Sequence, residues 1–249
     1  MIAGIPPTHT GPLIESGLFA GIPRGYAASL LFDFPKHFAT WSPTGQGRSP
    51  LKHYATMSPD QMLAHAPEVA ALCAPHCWVF AWWPDPHLPQ LLPFLTACGF
   101  VFSGKAFTWL KMRKGWEEDS AFTERDVFLG LGHTTREQTE TCWLARRGKP
   151  GRLSKGIREV IVAAVREHSR KPDQQYPRIE AFCEGPRIEL FARCHRPGWV
   201  VWGDQIDMFP PATPAPIIHH ERKDPDMAVT NAAPQPTIAS ADHATVRCT

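Results

Sequence analysis

The sequence predicts an α/β fold built on a mostly parallel sheet, and three features carry that expectation. Short apolar runs at Leu30–Phe32 and Cys77–Trp83 stop at turn residues, as strands buried on both faces do. Two stretches with helical start and stop signals, Pro59–Leu72 and His87–Cys98, are interleaved with them. Strand, helix, strand in that order is the grammar of parallel βαβ units with helices packed on the sheet.

Residues 1–25 hold Gly11-Pro12, Gly17, Gly21, Pro23 and Gly25 with little periodicity, and read as an irregular lead-in. Tyr26–Phe32 is the first strand, halted by Asp33 and the Phe34-Pro35 turn. A carboxylate is thereby offered at a strand end, the edge at which open α/β sheets bind ligands. The polar segment 36–49 reads as a loop bordering the pocket, since long loops are uncommon without a site to serve. Ser58 is placed as the N-cap of the first helix, with Pro59 at its first position and Asp60 in its first turn. The second helix ends at Gly99, and Phe100–Leu110 returns as a strand. Met112–Arg136 reads as polar surface, followed by strands around Cys142–Ala145 and Val160–Val165. A further helix ends at Cys183. Pro177 in its interior would cost ~3 kcal/mol, so that helix either begins late or is kinked. Strands at Arg187–Arg193 and Trp199–Trp202 close the body, which ends at Gly203-Asp204-Gln205.

With 249 residues, 43% of them hydrophobic, the chain can bury one substantial core. The expected organisation is a lead-in over 1–25, one catalytic domain over 26–209 and a Pro/Ala-rich tail over 210–249. The tail is poor in large apolar residues and reads as disordered. The net charge of +2 becomes +4 on the body once the acidic tail from Asp207 is set aside, which permits a nucleic-acid partner without requiring one. A basic cluster from Arg146 to Arg158 reads as a solvated face or as a phosphate-tracking surface. Seven cysteines without regular pairing, and no signal peptide, point to reduced thiols in a cytoplasmic protein. Cys73, His76 and Cys77 lack a second ligand pair and the two cysteines read as core thiols, so no metal is expected. No apolar run approaches the ~18 residues of a membrane span, and no membrane partner is expected.

In order along the chain come Asp33-Phe34-Pro35-Lys36, His53-Tyr54-Ala55-Thr56-Met57, the Trp82 to Pro89 region and Trp109-Leu110-Lys111. Gly130 to Arg136 with Glu140, Glu167 to Asp173, Glu189 to Arg193, Gly198-Trp199 and Trp202 to Gln205 follow. In this order and spacing the chain resembles the MT-A70-like family of adenine N6-methyltransferases, most closely the compact type found in phage and prophage genomes, over about Leu31 to Asp207. The resemblance implies a Rossmann-like S-adenosylmethionine-dependent methyltransferase fold with helices flanking a mostly parallel central sheet. It implies S-adenosylmethionine as cofactor and adenine N6 in DNA as the methyl acceptor. RNA is the alternative polymer, and a catalytically altered member acting as a nucleic-acid-binding or partner subunit is the alternative role. A homodimer or a partner subunit fits the same resemblance.

The adenine amino lone pair is delocalised into the ring, so its methylation needs groups that accept its two hydrogens and favour a pyramidal nitrogen. By the resemblance, Asp33 and the Phe34 carbonyl are those acceptors, within the catalytic tetrapeptide Asp33, Phe34, Pro35 and Lys36. The family's tetrapeptide is Asp-Pro-Pro-aromatic, so Phe34 replaces a proline and Lys36 replaces the aromatic that stacks on the withdrawn base. Phe34, Phe38 and Trp41 are candidates for the missing ring, with core packing the alternative for the last two. For the cofactor, Lys171 would reach the methionine carboxylate, Arg193 and His195 would line the site, and Asp204 and Gln205 would hold ribose and adenine. Arg136 and Glu140 match a pair beside the substrate cleft, although such a pair is more often a structural salt bridge.

Overall fold

A computed structural model of the chain describes residues 1–36, 56–130 and 135–210. Phe38, Trp41, the greater part of the segment 36–49 and all but the first residue of the tail lie outside the described residues.

Among the described residues, eight strands form one sheet: β1 (Ile2–Ala3), β2 (Ala27–Phe32), β3 (Cys73–Trp82), β4 (Val101–Met112), β5 (Thr139–Arg147), β6 (Val160–Ala164), β7 (Arg187–Leu190) and β8 (Trp199–Trp202). Their spatial order is β1-β8-β7-β2-β3-β5-β4-β6. The pairs β8/β7, β7/β2, β2/β3 and β4/β6 are parallel, so the sheet is mostly parallel as expected. Strands β1 and β5 run against the other six. The lead-in therefore contributes an edge strand. The βαβ reading of β3, a helix and β4 holds in direction only, because β5 is inserted between them.

Alternation along β2 and β3 divides two cores. Leu30, Phe32, Val79 and Ala81 face one side and pack with residues of α1 (Pro59–Ala64), α2 (Ala66–Leu72) and α3 (Leu88–Ala97). Leu31, Trp78, Phe80 and Trp82 face the other and pack with Tyr176 and Ile179 of α4 (Gln175–Phe182). Both faces are covered, which is why the Cys77–Trp83 run carries no polar alternation. Each large side chain removed from water contributes roughly 1.5–3 kcal/mol.

Ser58 caps α1 as read from sequence: its hydroxyl accepts from the Gln61 amide at 3.2 Å, and the Gln61 side chain accepts from the Ser58 amide at 2.8 Å. The expected single helix over 59–72 is instead two, divided at His65, because Pro67 in the first turn of α2 cannot donate back into a preceding turn. Pro177 is resolved the other way: α4 begins at Gln175, so the proline lies in the first turn, where no donor is missed. Gly99, at φ +74°, ends α3 in the left-handed conformation that glycine adopts most cheaply. Arg147, from the basic cluster, turns inward and donates to Ala70 O at 2.7 Å and Cys98 O at 2.5 Å, at the ends of α2 and α3. No helix among the described residues is long and apolar enough to cross a membrane.

Candidate active site

Phe32, the last residue of β2, is in register with Ala81 of β3 and Leu190 of β7. Asp33 therefore leaves the sheet beside Trp82 and Phe191, at the carboxyl edge of three parallel strands. Antiparallel β5 begins at this same edge, with Cys142 in register with Trp82, and so delivers Glu140 there from its first turn of chain. The loop ahead of α4 supplies Ser169, Arg170, Lys171 and Asp173.

Two clefts open side by side at this edge. The larger, about 460 Å³ including its mouth, is lined by Asp33, Trp82, Lys171, Glu189, Phe191 and Arg193 among others. The second, about 420 Å³, is lined by Asp33, Lys36, Trp82, Trp83, Glu140 and Lys171 among others. Asp33, Trp82, Ser169 and Lys171 belong to both and form the dividing wall. In that wall Lys171 Nζ lies 2.8 Å from Asp33 Oδ2 and 3.2 Å from Glu140 Oε2, while Lys111 Nζ lies 2.9 Å from Glu140 Oε1. Burial alone would raise the Glu140 carboxyl, but Lys171 and Lys111 overcome it and hold the group down at about 2. Burial would likewise lower Lys171, yet Asp33 and Glu140 push it above its ordinary value. Lys171 and Glu140 are therefore held charged across the physiological range.

The tetrapeptide divides its labour. Phe34 is only 2% exposed and packs edge-on against Phe32 and Phe94, so its ring is spent in the core and only its carbonyl faces the site. Lys36 is 5% exposed and reaches back across the tetrapeptide. Its Nζ donates to Trp82 O at 2.9 Å and Phe34 O at 3.1 Å, stands 3.5 Å from Asp33 Oδ1, and sits 4.4 Å above the Trp83 ring. Burial is the main reason that its ammonium is lowered to about 8; Asp33 opposes the shift and Lys171 adds to it.

Of the sequence-predicted cofactor residues, Lys171 and Arg193 line the larger cleft; His195, Asp204 and Gln205 line neither. His195 Nε2 lies 2.8 Å from Asp207 Oδ1, with both groups well exposed. Asp204 and Gln205 lie in the turn after β8. That turn folds back so that the Phe209 amide donates to Arg193 O at 3.1 Å, placing the Phe209 ring in the cleft 4.4 Å from the Arg170 guanidinium and 4.8 Å from that of Arg193. Glu140 joins the lysines, and Arg136 is exposed on the preceding loop.

Sequence reasoning missed Phe209, Tyr176 and Glu189 as site residues. Glu189 stood in the matched segment Glu189–Arg193 without a role of its own, and its Oε1 accepts from the Tyr176 hydroxyl at 2.9 Å. Its buried Oε2 has no hydrogen-bond partner among the described residues. Burial pushes this carboxyl up to about 7, against the Tyr176 hydrogen bond and the Arg196 charge. Ser169 (φ 58°) and Phe191 (φ 61°), both on the larger cleft, hold the left-handed backbone that costs a non-glycine residue about 1–2 kcal/mol.

Because Glu189 is raised, the folded state retains a proton that the unfolded chain gives up between about pH 4.5 and 7. Its contribution to stability is complete below that window and is lost as pH rises through it. Glu189→Gln is therefore expected to match the wild type near pH 4 and to exceed it by up to about 3 kcal/mol by pH 8. Denaturant unfolding of both proteins from pH 4 to pH 8 measures the difference, and parallel profiles would contradict the assignment.

A family model described as MT-A70 matches residues 41–205, starting shortly after the Asp33–Lys36 tetrapeptide. The chain is 38% identical over 99 residues to the N(6)-adenosine-methyltransferase MT-A70-like protein of Drosophila melanogaster, covering 38% of this chain and 16% of that protein. It is 36% identical over 99 residues to the N(6)-adenosine-methyltransferase catalytic subunit METTL3 of Homo sapiens, covering 38% and 17%. It is 28% identical over 142 residues to the type II methyltransferase M.MunI of a Mycoplasma species, covering 56% and 54%. The matched stretch thus spans less than a fifth of the first two relatives and about half of the third.

Proposed function

The chain belongs to the MT-A70 family, and on that premise we propose that it transfers the methyl group of S-adenosylmethionine to the N6 amino group of adenine in DNA. The observation that carries this reading is the position of Asp33, at the carboxyl end of a central parallel strand and in the wall common to two clefts. One cleft then serves the donor and the other the target base. When bound, the cofactor supplies an electrophilic methyl on a sulfonium.

The larger cleft suits that cofactor because it is short of a donor where the cofactor has one. The unpartnered Glu189 Oε2 can accept from the methionine ammonium, and Lys171, with two of its hydrogens directed at carboxylates, keeps a third for the methionine carboxylate. Phe191, Phe209 and Trp82 offer apolar faces, with Arg193 at the rim. Asp204 and Gln205 would hold ribose and adenine beyond the cleft, with His195 beside them.

In the second cleft, Asp33 and the Phe34 carbonyl accept the hydrogens of the target amine as its nitrogen becomes pyramidal, while Lys171 fixes the Asp33 carboxylate. Trp83 lines that cleft beneath the Lys36 ammonium. Arg136 and the loop 112–136 border the polymer, with Phe38 and Trp41 as further contacts.

DNA is preferred because M.MunI matches over half of both chains, as expected between proteins of similar size. The higher identity to adenosine methyltransferases favours a ribonucleoside target, and RNA is the second reading. Incubating the protein with labelled S-adenosylmethionine and either polymer, followed by nucleoside analysis, separates them. The expected product is N6-methyldeoxyadenosine. N6-methyladenosine alone would move the assignment to RNA, and neither product with no donor binding by calorimetry would identify a non-catalytic partner subunit.

A further inference from the structure

From Arg146 to Arg158 the chain carries no acid. Of the cations in that stretch, Arg147 is turned into the fold, where it holds the ends of α2 and α3. Lys149, Arg152, Lys155 and Arg158 are exposed, and none of them pairs with a carboxylate among the described residues. By contrast, Lys105, Lys111, Arg113, Arg170 and Lys171 each face an acid.

The backbone that bears the unpaired charges is pinned at short intervals. The Lys149 amide donates to His76 Nδ1 at 3.1 Å, Trp78 Nε1 donates to Gly151 O at 2.8 Å, and the Leu153 amide donates to Phe182 O at 2.8 Å. Ile157 packs on the core shared with α4, and the Arg178 guanidinium donates to Arg158 O at 2.8 Å and Val160 O at 2.7 Å. None of these anchors uses the side chain of Lys149, Arg152, Lys155 or Arg158. The acids around the loop are few: Glu159 is held by Lys105 at 3.7 Å and by the Thr108 hydroxyl at 3.0 Å, Glu118 acts on Arg178, and Glu184 is exposed just beyond α4. Like charges fixed on one course repel each other, and a polyanion relieves that repulsion while releasing its own counterions. The cations are strung along the loop and do not converge on one point, which suits a row of phosphates and not a single anion.

We propose that the loop 146–158 is a second seat for the acceptor polymer, its cations contacting phosphodiesters at a distance from the target base. Strand β5 runs from Glu140 at the edge of the clefts to Arg147, in register with Cys77 toward the opposite edge. About seven steps of roughly 3.3 Å put the start of the loop ~23 Å from the clefts. A strand that advances about 3.4 Å per nucleotide covers this in about 7 nucleotides. Contacts of this kind add affinity and hold the polymer in place without reading its sequence. The inference rests on the proposed function for the kind of polymer and the place of the target base, and not for the atom that is methylated.

Anisotropy titrations of the full chain with labelled 30-base-pair DNA and with single-stranded RNA of the same length, from 50 to 200 mM salt, test it. The variant combines Lys149→Gln, Arg152→Gln, Lys155→Gln and Arg158→Gln. Its slope of log affinity against log salt should be shallower by about 3–4 on the duplex, or about 3 on a single strand, and each single replacement should remove about 0.9 or 0.7. Exchanging lysine and arginine at the four positions should preserve the slope, as should Arg24→Gln at an exposed cation elsewhere. An 8-nucleotide strand with a central adenine stops short of the loop and should bind wild type and variant alike. An unchanged slope in the fourfold variant overturns the inference. So does an equal loss on the 8-nucleotide strand, which would put the charges at the clefts, or a loss confined to phosphatidylserine vesicles, which would make the loop a membrane contact. Nucleoside analysis of the same polymers after incubation with S-adenosylmethionine separates the two readings. Methylated adenine with an unchanged slope overturns this inference alone, and a changed slope without methylated adenine overturns the adenine reading alone. Absence of polymer binding by the wild type overturns both.

Discussion

Asp33→Ala is expected to lower methyl incorporation into nucleic acid by at least about 10²–10³-fold, while donor binding and the far-ultraviolet circular dichroism spectrum are retained. Removing one preorganised acceptor of a developing charge typically costs that much. Asp33 is partly exposed, with its side chain at the cleft wall and not in either core, so the sheet does not depend on it. Asp33→Asn provides the control. It keeps the shape and one acceptor oxygen but offers no negative charge, and should fall between alanine and wild type. Labelled-methyl incorporation measured under single-turnover conditions distinguishes the three, and full activity in the alanine variant would remove Asp33 from the chemistry.

Lys171→Met is expected to have the largest effect on stability, about 3–5 kcal/mol, because it leaves Asp33 and Glu140 facing each other without their shared cation. Its pH dependence identifies the cause. In the wild type the depressed Glu140 carboxyl contributes stability above about pH 4.5, and that contribution is lost as pH falls toward about 2. In the variant much of the contribution is missing at neutral pH, so the gap between the proteins should narrow in acid. Adding Glu140→Gln to Lys171→Met should recover part of the loss, and a double-mutant cycle in urea gives the coupling. Additive single effects would show that the pair is independent.

The parts of the fold that were legible in the sequence are those fixed by local chemistry. The β2 run, the Ser58 cap and the stop at Gly99 each depend on neighbouring residues and were placed to within a residue, whereas β3 begins at Cys73, ahead of the expected run from Cys77. The break at His65 was legible in principle from Pro67, but helical periodicity masked it. The direction of β5 was not legible, because a strand has the same two-residue period whichever way it runs. The site was half legible. Asp33, Lys171 and Arg193 meet at one cleft, and Glu140 meets the first two in the adjoining one. That Lys36 would fold back onto Phe34 and Trp82 depends on contacts 46 residues apart, which no local pattern encodes. Phe209 closed the expected domain outside every matched segment, and Glu189 opened a matched segment without a role attached to it.

The reversed direction of β5 has a consequence for how the protein can be altered. Glu140 is anchored twice, by the register of β5 with Trp82 on β3 and by its own pairing with Trp109 on β4. The chain between β4 and β5 meets the sheet at the edge where the clefts open and is tied to the end of β4 by the Phe128 amide on Lys111 O, the Met112–Val127 bridge and the Arg113 amide on Asp126 O. The stretch 114–125 beyond that tie can therefore be lengthened, shortened or exchanged while the acid and its two lysines keep their spacing.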